Sequence, residues 1–197
     1  MAMIAKRKSG YHVQPGEYDS TIVGVYDLGH QYSEKFKNES HKILFLGELA
    51  DDSSPMPITL IQFYTLTLSE KGNLRTAIET LLGRKLRPEE DEGFDMRKLL
   101  GLKARLQVID DNGKATILSM IRIPAAKPVP GSLPLIFFDM STGEPIPEDT
   151  PEFVKKLIAR STEFKKGYPP PVQDDDSGEH WENENNYEPD DTELDSF

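Results

Sequence analysis

Gln62-Phe63-Tyr64-Thr65-Leu66-Thr67-Leu68-Ser69-Glu70-Lys71-Gly72-Asn73-Leu74-Arg75 changes its periodicity halfway along. Its first half is aromatic and β-branched, the composition of a strand. From Leu74 the apolar residues Leu74, Ile78, Leu81 and Leu82 recur at helical spacing, with Asn73 placed to cap the start and Gly83 to stop the end. A strand over 57–68 therefore feeds a helix, and the fold depends on what flanks that pair.

Upstream, β-branched Thr21, Ile22, Val23 and Val25 predict a strand over 18–26. Residues 29–40 are polar and without period, which predicts a long exposed loop. A second strand fits 41–49, separated from the third by the turn composition Asp51-Asp52-Ser53-Ser54-Pro55. Downstream, a charged loop over 84–93 precedes a helical turn at 95–100. Strands over 103–110 and 115–123 flank Asp111-Asn112-Gly113, whose Asn-Gly pair tolerates the positive φ angles of a type I′ hairpin. Three strands, a helix and two strands is the element order of the OB-fold, a five-stranded barrel with its helix between strands three and four. The expected class is mainly β with helices.

Past Pro124 the chain turns Pro-rich, and the apolar block 133–138 is expected to pack back on the barrel. A last helix is marked by Thr150 as cap, Pro151 at its first position and Glu152 in its first turn. Phe153, Leu157, Ile158 and Phe164 give it an apolar face, and Gly167-Tyr168-Pro169-Pro170-Pro171 ends it. The expected division is an OB-fold domain over 1–124, an extension with a C-terminal helix over 125–167, and a disordered acidic tail over 168–197.

Charge follows that division. Of 197 residues, 34 are Asp or Glu and 23 are Lys or Arg, a net charge of −11. Residues 169–197 hold 11 of the acids and no Lys or Arg, so the body is neutral. A uniformly acidic surface would argue against nucleic acid; a neutral body with an anionic tail does not. The absence of Cys excludes disulfide scaffolding, thiol catalysis and thiolate zinc sites, and suits a reducing cytoplasm. The basic start, 1–9, has no apolar run behind it and does not read as a secretory signal. The apolar block 133–138 is far below the roughly 20 residues of a membrane span.

Nucleic-acid binding on a barrel needs cations for phosphates and exposed aromatics for bases. Alternation puts Phe63 and Tyr64 on opposite faces of the third strand, so one of them is expected to leave the core and stack a base. Tyr32 and Phe36 in the expected loop are further platforms. Lys42, Lys71, Arg75, Lys103, Arg105 and Arg122 are the expected phosphate contacts, with Lys71 and Arg75 near a helix N-terminus that favours anions. In the tail, Asp190, Asp191, Glu193, Asp195 and the terminal Phe197 form an anionic peptide ending in an aromatic carboxylate. Such a peptide suits a partner's apolar pocket flanked by cations, and it can also occupy a DNA groove.

No Gly-x-x-x-x-Gly-Lys-Ser/Thr sequence is present, which excludes that class of NTPase. The four His (His12, His30, His41 and His180) show no metal-ligand spacing. Asp110, Asp111 and Lys114 are residue types found in nucleases, but they sit in a tight hairpin where Asp serves turn geometry. No catalytic residue, metal or cofactor is expected.

The 62–75 stretch, Leu100-Gly101 before strand four and the tail together resemble a group of bacteriophage single-stranded DNA-binding proteins, over roughly residues 15–165 in organisation. The resemblance implies a non-catalytic, sequence-tolerant single-stranded DNA binder of the OB-fold type, acting in DNA replication, recombination or repair in the cytoplasm of an infected bacterial host. It implies that the tail recruits replication or recombination proteins. The final Leu194-Asp195-Ser196-Phe197 lacks the Pro of bacterial single-strand binders, and the helix at 151–166 has no counterpart in them, which leaves a homodimer open. Two other readings stand beside this one: an acidic interaction protein that mimics DNA or adapts a replisome, and a DNA-processing nuclease.

Overall fold

The computed structural model describes residues 13–50, 56–123 and 133–168. Six strands occur among them: β1 (Gly16–Ser33), β2 (Asn38–Leu49), β3 (Ile58–Thr65), β4 (Lys103–Asp111), β5 (Lys114–Arg122) and β6 (Ile136–Phe138). Four α-helices, α1 (Asn73–Leu82), α2 (Pro88–Glu92), α3 (Glu152–Ala159) and α4 (Thr162–Lys165), and two 3-10 turns complete the fold. The chain is mainly β. Its strands run in the order β3-β2-β1-β4-β5 with antiparallel ladders, and β6 joins β1 in parallel.

The 18-residue β1 organises the sheet. Its start pairs with β4 on one side, while residues from Ser20 to Ser33 pair with β2 on the other. Past Thr21 the first edge is taken over by β6 at Gly24–Tyr26 and then by Glu163 of α4, whose carboxylate accepts the His30 backbone N–H at 2.8 Å. Irregularities in the β1–β2 register at Ile22/Gly24 and Asp27/Gly29 bend the strand. Gly29 takes φ +67°, and a Cβ there would stand 2.6 Å from the Glu163 carboxylate and 2.8 Å from Ser161 Cβ. Glycine at this bend is what lets α4 approach.

The expected loop over 29–40 is corrected to a strand extension on either side of a turn at 34–37. Its side chains are polar because the hairpin runs out to the rim, yet each backbone still has a cross-strand partner up to Ser33 opposite Asn38. The charged loop contains α2, opened by Pro88. Asn73 is the first residue of α1 and Gly72 its cap, while Gly83 ends the helix at φ 68°. The single C-terminal helix becomes two: Pro151 caps α3, and the buried hydroxyl of Ser161 accepts the Phe164 N–H at 3.1 Å to start α4. The β4–β5 turn has the expected positive φ at Asn112 (54°) and Gly113 (85°).

Two hydrophobic cores flank the β1–β3 part of the sheet. On one side Ile22, Val25, Ile43, Phe45 and Tyr64 meet Leu74, Ile78 and Leu81 of α1, along with Ala104, Leu106 and Val108 of β4. On the other, Val23, Tyr26, Leu28, Leu44, Leu46 and Phe63 meet β6 and Val154, Leu157 and Ile158 of α3. Of the apolar block 133–138, Leu133, Ile136 and Phe138 pack against this second core, while Leu135 is exposed. Helix α1 touches both β3 and β5, the two ends of the strand path. Among the described residues no helix is long and apolar enough to cross a membrane.

Candidate nucleic-acid interface

The two cores decide which aromatics can meet a ligand. Phe63 is 5% exposed and Tyr64 8%, each inside its own core. The expectation that one of them leaves the core is corrected: α3 and β6 cover the face that alternation had left to solvent. Tyr64 packs 5.0 Å from the Phe45 ring, and burial pushes its phenol pKa up.

The exposed rings lie instead at the tip of the β1–β2 hairpin. Tyr32 is 54% exposed and Phe36 56%. The Lys35 ammonium sits 5.2 Å from the Phe36 ring centroid, and Lys37 pairs with Glu34 at 2.7 Å, both side chains open to solvent. Tyr32 and Phe36 are among the residues lining a cleft of about 230 Å³. Its wall is polar: Gln31, Ser33, Asn38, Ser40, Lys42 and Thr65. Lys42, only 5% exposed, donates to the Thr65 hydroxyl at 3.2 Å. Gln31 donates its amide hydrogens to the carbonyls of Leu28 at 2.6 Å and Leu157 at 3.1 Å, so the wall is anchored to α3. Tyr32, Phe36 and Lys42 therefore line one cleft.

The other expected phosphate contacts are dispersed. Lys103 donates to Thr21 at 2.8 Å, and Arg105 holds Asp19 at 2.8 Å. Tyr32 stands eleven residues along the strand from Thr21, a contour of at most roughly 36 Å at 3.3 Å per residue. Arg75 does not face the solvent at the helix start as expected. It binds Asp91 at 2.7 Å and Glu79 at 3.3 Å, and these bonds, Asp91 first, raise its pKa. Glu79 also takes Lys85 at 2.6 Å and the Leu86 N–H, which hold its carboxyl below the usual range. Arg122 donates to the Leu82 carbonyl at 2.6 Å, closing the C-terminus of α1. Lys71 is exposed. The tail residues Asp190, Asp191, Glu193, Asp195 and Phe197 lie outside the described residues.

One cluster escaped the sequence reading. His30 and His41, cross-strand partners in the hairpin, stack with ring centroids 4.7 Å apart. Each has a carboxylate: His30 bonds Glu163 of α4, and His41 bonds buried Asp27 at 2.6 Å. The Asp27 bond raises the pKa of His41 against the opposing effect of burial. Burial pushes Glu163 up, but the bonds from the His30 ring and backbone outweigh it and leave that carboxyl low. The signal for this pairing is the hairpin register, which a loop over 29–40 conceals. Asp110 accepts the Gly113 N–H at 2.7 Å, the turn role expected of it. Comparison with protein families, with curated proteins and with solved structures finds no match to this chain.

Proposed function

We propose that this chain binds single-stranded DNA without catalysing a reaction on it, using the tip of the β1–β2 hairpin as its base-stacking platform. The observation that carries this reading is the pair of solvent-exposed rings, Tyr32 and Phe36, flanked by Lys35 and Lys37 and bordering a cleft that Lys42 lines. Stacking is indifferent to sequence because every base has a π-face, and each stacked base contributes on the order of 1–3 kcal/mol. Phosphates running past the hairpin meet Lys35 and Lys37, and the solvent-exposed ion pair of Lys37 with Glu34 exchanges at little cost.

The strand path β3-β2-β1-β4-β5, with α1 against both of its ends, supports reading the sheet as a partly open OB-type barrel. In that reading the protein is of the phage single-stranded DNA-binding kind, serving replication, recombination or repair. The 169–197 segment recruits partner proteins and competes with DNA for the cationic surface, because it carries 11 acids and no Lys or Arg.

Titration of a fluorescent oligo-dT at two salt concentrations tests the reading, with the full chain and with a chain ending at Gly167. Binding should weaken by roughly 0.7 log units per log unit of salt for each phosphate neutralised. The shortened chain should bind as tightly or more tightly. Absence of binding by both chains at low salt would refute the proposal and favour an acidic interaction protein. Cleavage of the oligonucleotide with magnesium present would favour a nuclease.

A further inference from the structure

We propose that Arg97, its guanidinium laid over the Phe137 ring, takes a phosphate of the single strand whose bases stack at the hairpin tip. This rests on the single-stranded DNA reading and adds a second anchor to it, which gives the bound strand a course across the sheet.

The sheet register puts the two anchors on one face. Along β2, Phe45, Ile43, His41 and Glu39 alternate onto the same side, and their β1 partners Val25, Asp27, His30 and Tyr32 share it. Phe137 of β6 pairs with Val25 and packs against the core on that side. The Arg97 guanidinium stands 4.7 Å from the Phe137 ring centroid, at the far end of this row from Tyr32. Between them lie the half-buried, stacked rings of His30 and His41. Tyr32 is seven residues along β1 from Val25, roughly 23 Å at 3.3 Å per residue. About seven nucleotides at about 3.4 Å each cover that length, within the roughly 4–16 nucleotides that one OB fold holds.

The chemistry of Arg97 suits an anion. The residue is exposed. Arg75, Arg84 and Arg105 are each bonded to a carboxylate, whereas among the described residues the Arg97 guanidinium is bonded to none. Asp95, two residues earlier, accepts the Arg97 backbone N–H at 3.0 Å and so caps the 3-10 turn over Met96–Leu99. Stacking uses the face of a guanidinium and leaves its edge of N–H donors free, a fork that matches two phosphate oxygens. The ring beneath holds the plane of that fork without neutralising its charge. The acids along the row are already engaged: Asp27 with His41, Glu163 with His30, and Glu39 with the Thr162 hydroxyl of α4.

The test titrates oligo-dT of about 16 nucleotides against the full chain, Arg97→Gln and Lys85→Gln over a range of salt. Lys85 is an exposed cation held by Glu79, so its variant makes the same charge change at a residue outside the row. Arg97→Gln should bind about tenfold more weakly at low salt, with a salt slope lower by roughly 0.7, the loss of one phosphate contact. Lys85→Gln should keep the wild-type slope. A folded Arg97→Gln with the wild-type slope overturns the proposal even if its affinity falls, because a loosened 3-10 turn weakens binding without changing counterion release. An equal drop of slope in both variants also overturns it, as an effect of net charge, while leaving single-stranded DNA binding intact. Failure of the wild-type chain to bind removes the underlying reading and this one with it. Should Arg97→Gln fail to fold, NMR of the wild-type chain decides the matter: oligo-dT should shift the Arg97 side-chain Nε–H resonance, and an unshifted resonance rejects the site.

Discussion

The hairpin tip and the α1–α2 corner are both rich in charge, yet they hold it differently. Around α1, Arg75 lies between Asp91 and Glu79, Arg84 grips Glu90 through two nitrogens at 2.6 and 2.8 Å, and Lys85 reaches Glu79. At the tip, Lys37 has one solvent-exposed partner and Lys35 lies over an aromatic ring that is itself in water. The first arrangement ties α2 to α1; the second keeps cations beside surface that a ligand can cover. Position at a helix start thus does not leave Arg75 open to a ligand, because the carboxylates of two helices hold it.

The largest expected effect tests the boundary between those roles. Phe63→Ala removes a ring from the core beneath α3 and should cost about 3–5 kcal/mol of stability by urea denaturation. Its DNA affinity, measured where the variant stays folded, should be unchanged. A folded Phe63→Ala protein with weakened binding would return that residue to the interface. Tyr32→Ala and Phe36→Ala should show the reverse: stability within about 0.5 kcal/mol, as for exposed positions, and affinity reduced by about 1–3 kcal/mol each. Smaller still is the effect of Arg75→Gln, which should loosen the α1–α2 corner without changing the salt dependence of binding. A salt slope lowered by roughly 0.7 would mean that Arg75 meets a phosphate after all.

These variants also mark what the sequence could reveal. The existence of β2 to β5, the α1 period and the Asn112-Gly113 turn were legible because each is local: β-branched and aromatic composition, a repeat of 3.6, a dipeptide with positive φ. The burial of both Phe63 and Tyr64 was not, because alternation reports only that two faces exist, not that both are covered. A signal for it was present in Ile43-Leu44-Phe45-Leu46 of β2, an unbroken apolar run of the kind seen in strands buried on both sides. The pairing of Arg75 with Glu79 was readable as an i,i+4 contact. Its bond to Asp91 depends on how α2 folds back and had no sequence signature. Tyr32, Phe36 and Lys42 were each singled out by residue type, but their assembly around one cleft needs the hairpin register.

The smallest expected effect concerns how firmly the hairpin is held to α4, and its sign follows from two shifts. His41 has its pKa raised above 6.5 by Asp27. Its contribution is therefore complete below about pH 6.5 and is lost as pH rises through the raised folded value. Glu163 has its pKa lowered from 4.5, so its contribution is present above that pH and is lost as pH falls through the lower folded value. The hairpin's own Asp27–His41 bond and its Glu163 tie to α4 should consequently both be in place between about pH 4.5 and 6.5. Hydrogen exchange at the His30 amide, which donates to Glu163, reports this directly once corrected for the intrinsic pH dependence of exchange. Asp27→Asn should flatten the alkaline limb and Glu163→Gln the acid limb, each by no more than the ~0.2–1 kcal/mol of a partly exposed pair. Glu90 adds a separate acid-side loss at the α1–α2 corner, because its bonds, that from Arg84 first, hold its carboxyl at about 2. If Glu163→Gln left the acid limb at His30 intact while Glu90→Gln removed it, the acid sensitivity would belong to the α1–α2 corner, and the hairpin would be held to α4 by packing against α3 rather than by charge.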